Sequence, residues 1–440
     1  SGFSTPVLRM ISIPQAVSRE FFHPKGIDGG PSLEGPYFQR SVQLRKKVMK
    51  IPGQAQVAAV ASTRPDTREA LEEAVENLLG RMGPHPDIAI AFLSPHHRER
   101  GEEVLQALGG ELQAESVAGC TAAGVIGGGH ELQGGPAISI WAAKFPGSKV
   151  QDFHLELDED GGFVKGWPDV GPEAGVVLLA DPFTFPLDPF FASLRKAERY
   201  PPIVGGLASG ADRSGGNILL EGSSAHTSGA VGFVVQGGVR LAPVLSQGCR
   251  AIGPPFLVTR SEKNVIYELG GLPAYEGLSK VVQGLEESER RTFANFPHVG
   301  IQAEKGLSEG KPGGFLVRGV MGVDSSTGTV SVADFVEEGS MMQFHTRDAN
   351  TAHQELEELL GLESGFHADP VGALLFSCTG RGLPLFGRAD HDVEIVERFF
   401  PEAPVSGMFA AGEIGPVCGR PHIHGFSASL GLFIQEESES

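Results

Sequence analysis

Cysteine is scarce in this 440-residue sequence. The four present, Cys120, Cys249, Cys378 and Cys418, form neither a CxxC pair nor the dense framework of a secreted disulfide scaffold, so a reducing, intracellular compartment is the simpler expectation. Long hydrophobic runs are missing as well. Those that exist, such as Val176 to Ala180 and Ala373 to Phe376, are strand-sized, against the roughly 20 apolar residues a membrane helix needs, and no membrane span is expected. Excess positive charge is also absent: the formal net charge of −19 excludes a general nucleic-acid binder, which needs a cationic face to neutralise phosphate. The basic residues are concentrated in residues 1–55, which hold eight Lys or Arg (Arg9, Arg19, Lys25, Arg40, Arg45, Lys46, Lys47, Lys50) against three acids. This basic N-terminal arm reads either as the remnant of a transit peptide, for the chloroplast or another organelle, or as a solvated extension of a cytoplasmic protein.

What is present is a globular α/β pattern. The length exceeds one compact core of ordinary size and suggests two α/β units of about 200 residues each. VAAVAS at 57–62 reads as a buried strand. After it, Leu71, Ala74, Val75, Leu78, Leu79 and Met82 recur at spacings of three and four, the stripe of an amphipathic helix. Asp66 and Glu69 supply its N-terminal capping pair, and Gly83-Pro84 ends it.

A strand, a helix and a glycine-rich strand then occur three times. They end in VAGCTAAG at 117–124, IVGGLASG at 203–210 and VSGMFAAG at 405–412, all of the form [VI]-x-G-x-x-A-[AS]-G. Small residues and two glycines at a strand's carboxyl end imply a sharp turn with something packed close to the backbone. The intervals of 86 and 202 residues are irregular, so the pattern is a duplicated βαβ unit inside two related domains of mixed α/β class and not a solenoid.

These segments carry a family resemblance. SVAGCTAAGVIGGG (116–129), PPIVGGLASGADRSGG (201–216) and GAVGFVVQGGVRLAPVLSQGCRAIGPP (229–255) resemble a FIST N-terminal domain and its junction with the next. NVIYELGGLPAYEGL (264–278), MMQFHTRDA (341–349), ALLFSCTGRG (373–382), FFPEAPVSGMFAAGEIGPV (399–417) and HIHGFSASLGLF at the end resemble a FIST C-terminal domain. The ordered set S-C-x-G-R-G, G-x-x-A-A-G-E-I-G, H-G-F-[ST] is its specific part. Two departures stand out: Ser427 where Thr is commoner, and Val125 where the first-domain motif often has an acid. The resemblance implies domains at 56–240 and 241–436, followed by an acidic tail at 437–440. It also implies a small-ligand sensory role, with amino acids or related small acids as ligands. No F-box-like helix and no kinase or cyclase signature is seen, so the expected role is a binding component that acts through a protein partner. A ligand-free adaptor or scaffold is the second reading.

The candidate ligand site comprises Cys378, Gly380, Arg381, Gly412, Glu413 and His424. Arg381 follows a strand in the loop CTGRG, where open α/β sheets bind ligands, and its planar guanidinium suits a carboxylate. A structural ion pair with Glu413 or Asp390 is the plainer alternative. Glu413, between Gly412 and Ile414, needs a partner if buried. With an amino-acid ligand, Arg381 would take the carboxylate and Glu413 the ammonium. Cys120, Gly124, Gly205 and Gly210 mark the equivalent secondary pocket, although Cys120 matches Met408 in the repeat and so also reads as packing. Cys378 could be a thiolate lowered by Arg381, the basis of a minor cysteine-enzyme reading with His424 as base, but no orienting Asn or Asp completes it. The chain is therefore not expected to be an enzyme. His422 and His424 share a strand face and His96-His97 are adjacent, yet neither pair belongs to a ligand set of fixed spacing, so no metal and no cofactor is expected.

Overall fold

The computed structural model describes residues 53–158, 164–195, 199–303, 314–366 and 369–436. All but the last three residues of the basic arm, and the acidic tail at 437–440, lie outside them. The first strand is Gln56–Ser62, and the helix after it is Thr67–Met82, with the Asp66 carboxylate accepting the Glu69 N–H at 3.0 Å and Gly83 closing the far end. Its buried face is Leu71, Ala74, Val75, Leu78 and Met82, and Leu79 is half-buried beside it.

The repeat extends beyond the βαβ unit. Each of three copies has an opening strand (Gln56–Ser62, Lys149–Leu157, Val239–Ser246) and a leading strand (Ile88–Leu93, Gly175–Ala180, Gly372–Cys378). A glycine strand follows (Ser116–Thr121, Ile203–Leu207, Val405–Ala410), and a return strand closes each copy (Ile138–Lys144, Ala230–Gln236, Ala428–Gln435). The sheet order is the same in all three: opening, return, leading, glycine. Leading and glycine strands are parallel, and the return strand is antiparallel to the leading strand.

Between the glycine and return strands each copy makes a hairpin that leaves its own sheet. The first hairpin, Gly124–Gly127 with His130–Gln133, pairs with the glycine strand of the third copy. The second, Leu219–Glu221 with Ser224–His226, pairs with that of the first. The third, Glu413–Val417 with Arg420–His424, pairs with that of the second. The exchange closes a ring of three sheets. The stretches 56–240 and 241–436 are thus interleaved through shared sheets.

The recurring glycines follow from this packing. A Cβ at Gly119, Gly205 or Gly407 would stand 2.4, 1.9 or 1.8 Å from the carbonyl oxygen of Ala91, Leu178 or Leu375, its partner on the parallel leading strand. The second glycine of each motif packs where the hairpin crosses over. A Cβ at Gly124, Gly210 or Gly412 would lie 3.0, 2.6 or 2.9 Å from Phe409, Thr121 or Leu207, which occupy equivalent positions in the copy that receives the hairpin.

Strand alternation does the rest. Ile88, Ile90 and Phe92 point into a core shared by all three copies, with Val177, Val204, Phe233, Phe376, Met408 and Phe433. Ala89, Ala91 and Leu93 face outward to the helix Thr67–Met82. Trp141 and Phe433 pack at 4.9 Å between ring centroids, and Phe92 meets Phe376 edge-on at 6.1 Å, joining copies one and three.

The third copy carries an insertion between its opening strand and the helix Ala349–Phe366. It forms an antiparallel sheet in the order Arg250–Glu262, Met341–Thr346, His298–Gln302, Phe315–Asp324, Thr329–Val332, Val265–Leu269, Leu272–Pro273, with its own core of Ile252, Val258, Ile266, Leu269 and Phe344. Among the described residues no helix is long and apolar enough to cross a membrane.

Two glycine substitutions separate packing from propensity. Gly407→Ala should destabilise the protein in urea unfolding by about 1–3 kcal/mol through overpacking against Leu375. Gly80→Ala, in a helix with nothing within 4 Å of the added methyl, should stabilise by roughly 0.5–1 kcal/mol.

Candidate functional site

The three copies share one junction, where the leading strand ends beside the start of the return strand. Ser94, Asp181 and Cys378 occupy the same place, each donating its backbone N–H to the residue before the return strand: Ala137 at 2.9 Å, Gly229 at 3.0 Å and Ser427 at 3.0 Å. In the first copy Ser94 Oγ accepts the Ala137 N–H at 2.9 Å. In the second, Asp181 accepts Asn217 Nδ2 at 2.9 Å, Thr184 Oγ1 at 2.7 Å and the Phe183 N–H at 3.2 Å. Both side chains are satisfied locally.

The third junction is built differently. Glu413 is fully buried where Val125 and Ala211 stand in the other copies, and its Oε2 accepts the Ser427 N–H at 3.0 Å and hydroxyl at 2.7 Å. Its Oε1 has no hydrogen-bond partner. Cys378 lies against it, and the Gly380 Cα leaves room for the Phe426 ring, which a Cβ would meet at 3.0 Å. Phe426 itself takes a left-handed conformation, φ 64°, immediately before Ser427.

Arg381 is fully buried and grips Asp392 with two parallel bonds, Nε to Oδ2 and Nη2 to Oδ1, both 2.8 Å. Ser377 Oγ at 2.8 Å and His391 Nδ1 at 2.9 Å complete the carboxylate's shell. The ion pair read from the sequence is therefore real, but its acid is neither Glu413 nor Asp390. Asp390 instead accepts the Glu131 N–H at 2.6 Å and pairs with His130 at 3.1 Å. Arg381 Nη1 is left without a partner, facing Gly248, where a Cβ would come within 2.9 Å.

A second guanidinium arrives from the insertion. Arg347, directly after the strand Met341–Thr346, is buried over the Phe426 ring at 4.5 Å, and its Nη2 donates to the Gly380 carbonyl at 3.3 Å. Its Nε has no partner. His298 packs edge-on to the same ring at 5.2 Å, with its Nε2 buried and unpaired.

Burial dominates the electrostatics. It pushes the Glu413 carboxyl up to about 8 and the Cys378 thiol up to about 12, with the Glu413 charge adding to the latter. The minor reading of an arginine-lowered thiolate is thus not favoured, because burial holds the thiol protonated. Burial lowers Arg347, with the Arg381 charge acting in the same direction, and Arg381 holds Asp392 well below the usual carboxylate range against its desolvation. Glu355, also near Arg381, is pushed up by burial.

The structure brings Cys378, Gly380 and Glu413 together, with Arg381 in electrostatic reach. Gly412 stands at the crossover against Leu207. His424 pairs with Glu413 across the hairpin, but its Nε2–H donates to the Gly415 carbonyl at 3.1 Å and burial lowers the ring to about 3. Cys120, Gly124, Gly205 and Gly210 are filled by protein: Cys120 Sγ lies 3.3 Å from Met408 Sδ, and the glycines are the close-packed positions described above. Arg347, Asp392 and Ser427 were missing from the residues singled out as ligand contacts. A charged Arg-Asp pair closing the apolar strand MMQFHT was the available signal for Arg347.

Against this geometry stand the relatives. The FIST N domain matches residues 87–272 and the FIST C domain residues 274–416. The chain belongs to the FIST family. An uncharacterized protein of Mycobacterium tuberculosis strain H37Rv is 36% identical over 380 residues, 85% of this chain and 98% of its own length. Another, from Mycobacterium bovis, is 36% identical over 381 residues, 85% of this chain and 97% of its own. FIST domains are associated with sensory and signal-transduction roles, not with catalysis. In this FIST chain the repeat continues past the matched C domain, because the return strand Ala428–Gln435 supplies Ser427's setting.

The raised Glu413 pKa has a testable sign. The folded protein keeps this proton from about pH 4.5 to about 8 while the unfolded chain loses it, so this contribution to stability is full below 4.5 and is lost as pH rises to 8. Glu413→Gln removes that dependence. Urea unfolding at several pH values should show the variant gaining on the native protein by about 1.4 kcal/mol per pH unit across this window. Parallel profiles would contradict the raised pKa.

Proposed function

We propose that this FIST protein binds a small carboxylate-bearing ligand, an amino acid or related small acid, at the third junction and acts through a protein partner. The observation that carries this reading is a set of unpaired polar atoms at one buried junction. Two guanidinium groups are buried together, Asp392 bonds one of them, and burial raises the Glu413 carboxyl toward its neutral form. Buried charge without compensation is costly, and Arg347 Nε and Arg381 Nη1 both lack partners. A ligand carboxylate would supply acceptors for both. Glu413 Oε1, also without a partner, suits a ligand ammonium, and its proton would leave when the ammonium arrives. The division of labour expected from the sequence is thereby modified: Arg347 becomes the principal anion contact, because Arg381 spends two of its donors on Asp392.

The partner part of this reading draws on the helix Ala349–Phe366. Ala352, in its first turn, packs beside Gly248 and hence next to Arg381 Nη1, while Leu362 and Phe366, one turn apart near its other end, are 57% and 76% exposed. The same exposed pair favours the second reading, a ligand-free adaptor.

A thermal-shift panel of amino acids and small acids distinguishes the two. A true ligand at a hundred times its dissociation constant stabilises by about 2.7 kcal/mol. Arg347→Met should abolish that shift. Absence of any shift in the native protein, or an equal shift in the variant, would favour the adaptor.

A further inference from the structure

The second copy gathers a set of side chains unrelated to the ligand junction. His154 and Glu156 lie on one face of its opening strand, Lys149–Leu157, and His226 lies on the hairpin strand Ser224–His226, which belongs to the sheet of the first copy. One ligand atom from each of the three lies within 4.8 Å of the others. The two imidazoles stack with centroids 3.7 Å apart and planes at 25°.

Hydrogen bonding fixes which nitrogen of His154 is bare. Its Nε2 lies 3.1 Å from the Ser228 carbonyl, which can only accept, so Nε2 carries a proton and in the neutral ring Nδ1 presents a lone pair. That lone pair faces Glu156 Oε1 at 3.5 Å. In that neutral state two acceptors face each other, and they repel unless a proton or a metal cation lies between them. His226 is also set against a carboxylate: its buried Nε2 has no close hydrogen-bond partner and stands 3.5 Å from Glu221 Oε2. Two ligands on adjacent corners of a tetrahedral ion with bonds of about 2.0–2.1 Å lie roughly 3.3 Å apart, close to both separations. An imidazole N–H anchored on a backbone carbonyl is also the support that metal-ligating histidines commonly have. Asp152, two residues before His154, is occupied by the Val117 N–H at 3.0 Å.

We propose that His154, Glu156 and His226 bind a divalent transition-metal ion, with zinc the best match to this nitrogen and carboxylate set, and that Glu221 stands beside His226 as a fourth ligand or its orienting partner. The ion would join two sheets of the exchange ring, because His154 and His226 belong to different ones. Glu156 is 59% exposed, so its side chain can adjust without moving the backbone.

Tag-free full-length protein dialysed against zinc should retain one ion per chain by elemental analysis, and cobalt should give the visible absorption of a tetrahedral site. His154→Ala and His226→Ala should each lower affinity at least tenfold, whereas His130→Ala, elsewhere on the surface, should not. Glu156→Gln, at an exposed side chain that does not threaten folding, should weaken binding by a similar factor and keeps the test decisive if a histidine variant unfolds. Equal stoichiometry and affinity in native protein and Glu156→Gln, or no retained ion in native protein, would overturn the assignment.

Discussion

Everything in this fold depends on the close approach of two parallel strands and the hairpin that then leaves for a neighbouring sheet. At Gly119, Gly205 and Gly407 the backbone of one strand sits so near the carbonyl of the next that no side chain fits. The chain then turns at Gly124, Gly210 or Gly412 and pairs elsewhere. No sheet of the ring is complete without another copy's hairpin. Separation of the halves would expose the edges of two sheets, at the strands Ile203–Leu207 and Val405–Ala410, and the shared core around Trp141, Phe376 and Phe433.

The same crossover makes the candidate site. Glu413 begins the hairpin leaving the third sheet, so it is buried where two sheets part, beside the end of the strand that carries Cys378. The first two junctions are closed by local hydrogen bonds to Ser94 and Asp181. The third receives Arg347 from the inserted sheet, and with it a second buried guanidinium whose Nε has no partner. Three copies of one frame therefore differ in chemistry at one equivalent point, and the insertion marks which copy diverged.

Much of this was legible in the chain. The triplicate G-x-x-A-[AS]-G pattern reported both the repeat and the tight packing at its glycines, and Asp66, Glu69 and Gly83 marked the ends of a helix by local rules. The hairpin exchange was not legible, because pairing between Ser406 and Gly127 leaves no local periodicity. For the same reason Arg381 could be read as paired without its true acid being known: Asp390 and Asp392 are both near in sequence, and only the helix beginning at His391 turns Asp392 inward. Cys378 had two readings in the chain, a packing residue and a thiolate lowered by arginine, and its burial favours the first. The two imidazoles that stack, His154 and His226, come from separated elements, which spacing along the chain could not show for them as it did for His422 and His424.

Exchanged hairpins should lock the three copies into one cooperative unit. Amide hydrogen exchange across a denaturant series tests it most directly, by following the hairpin amides of Ile126, Leu220 and Ile414 together with those of the leading strands. The account predicts that all of them exchange only through global unfolding, converging on one free energy and one denaturant slope. A hairpin that opens at lower free energy while its host sheet stays protected would contradict it.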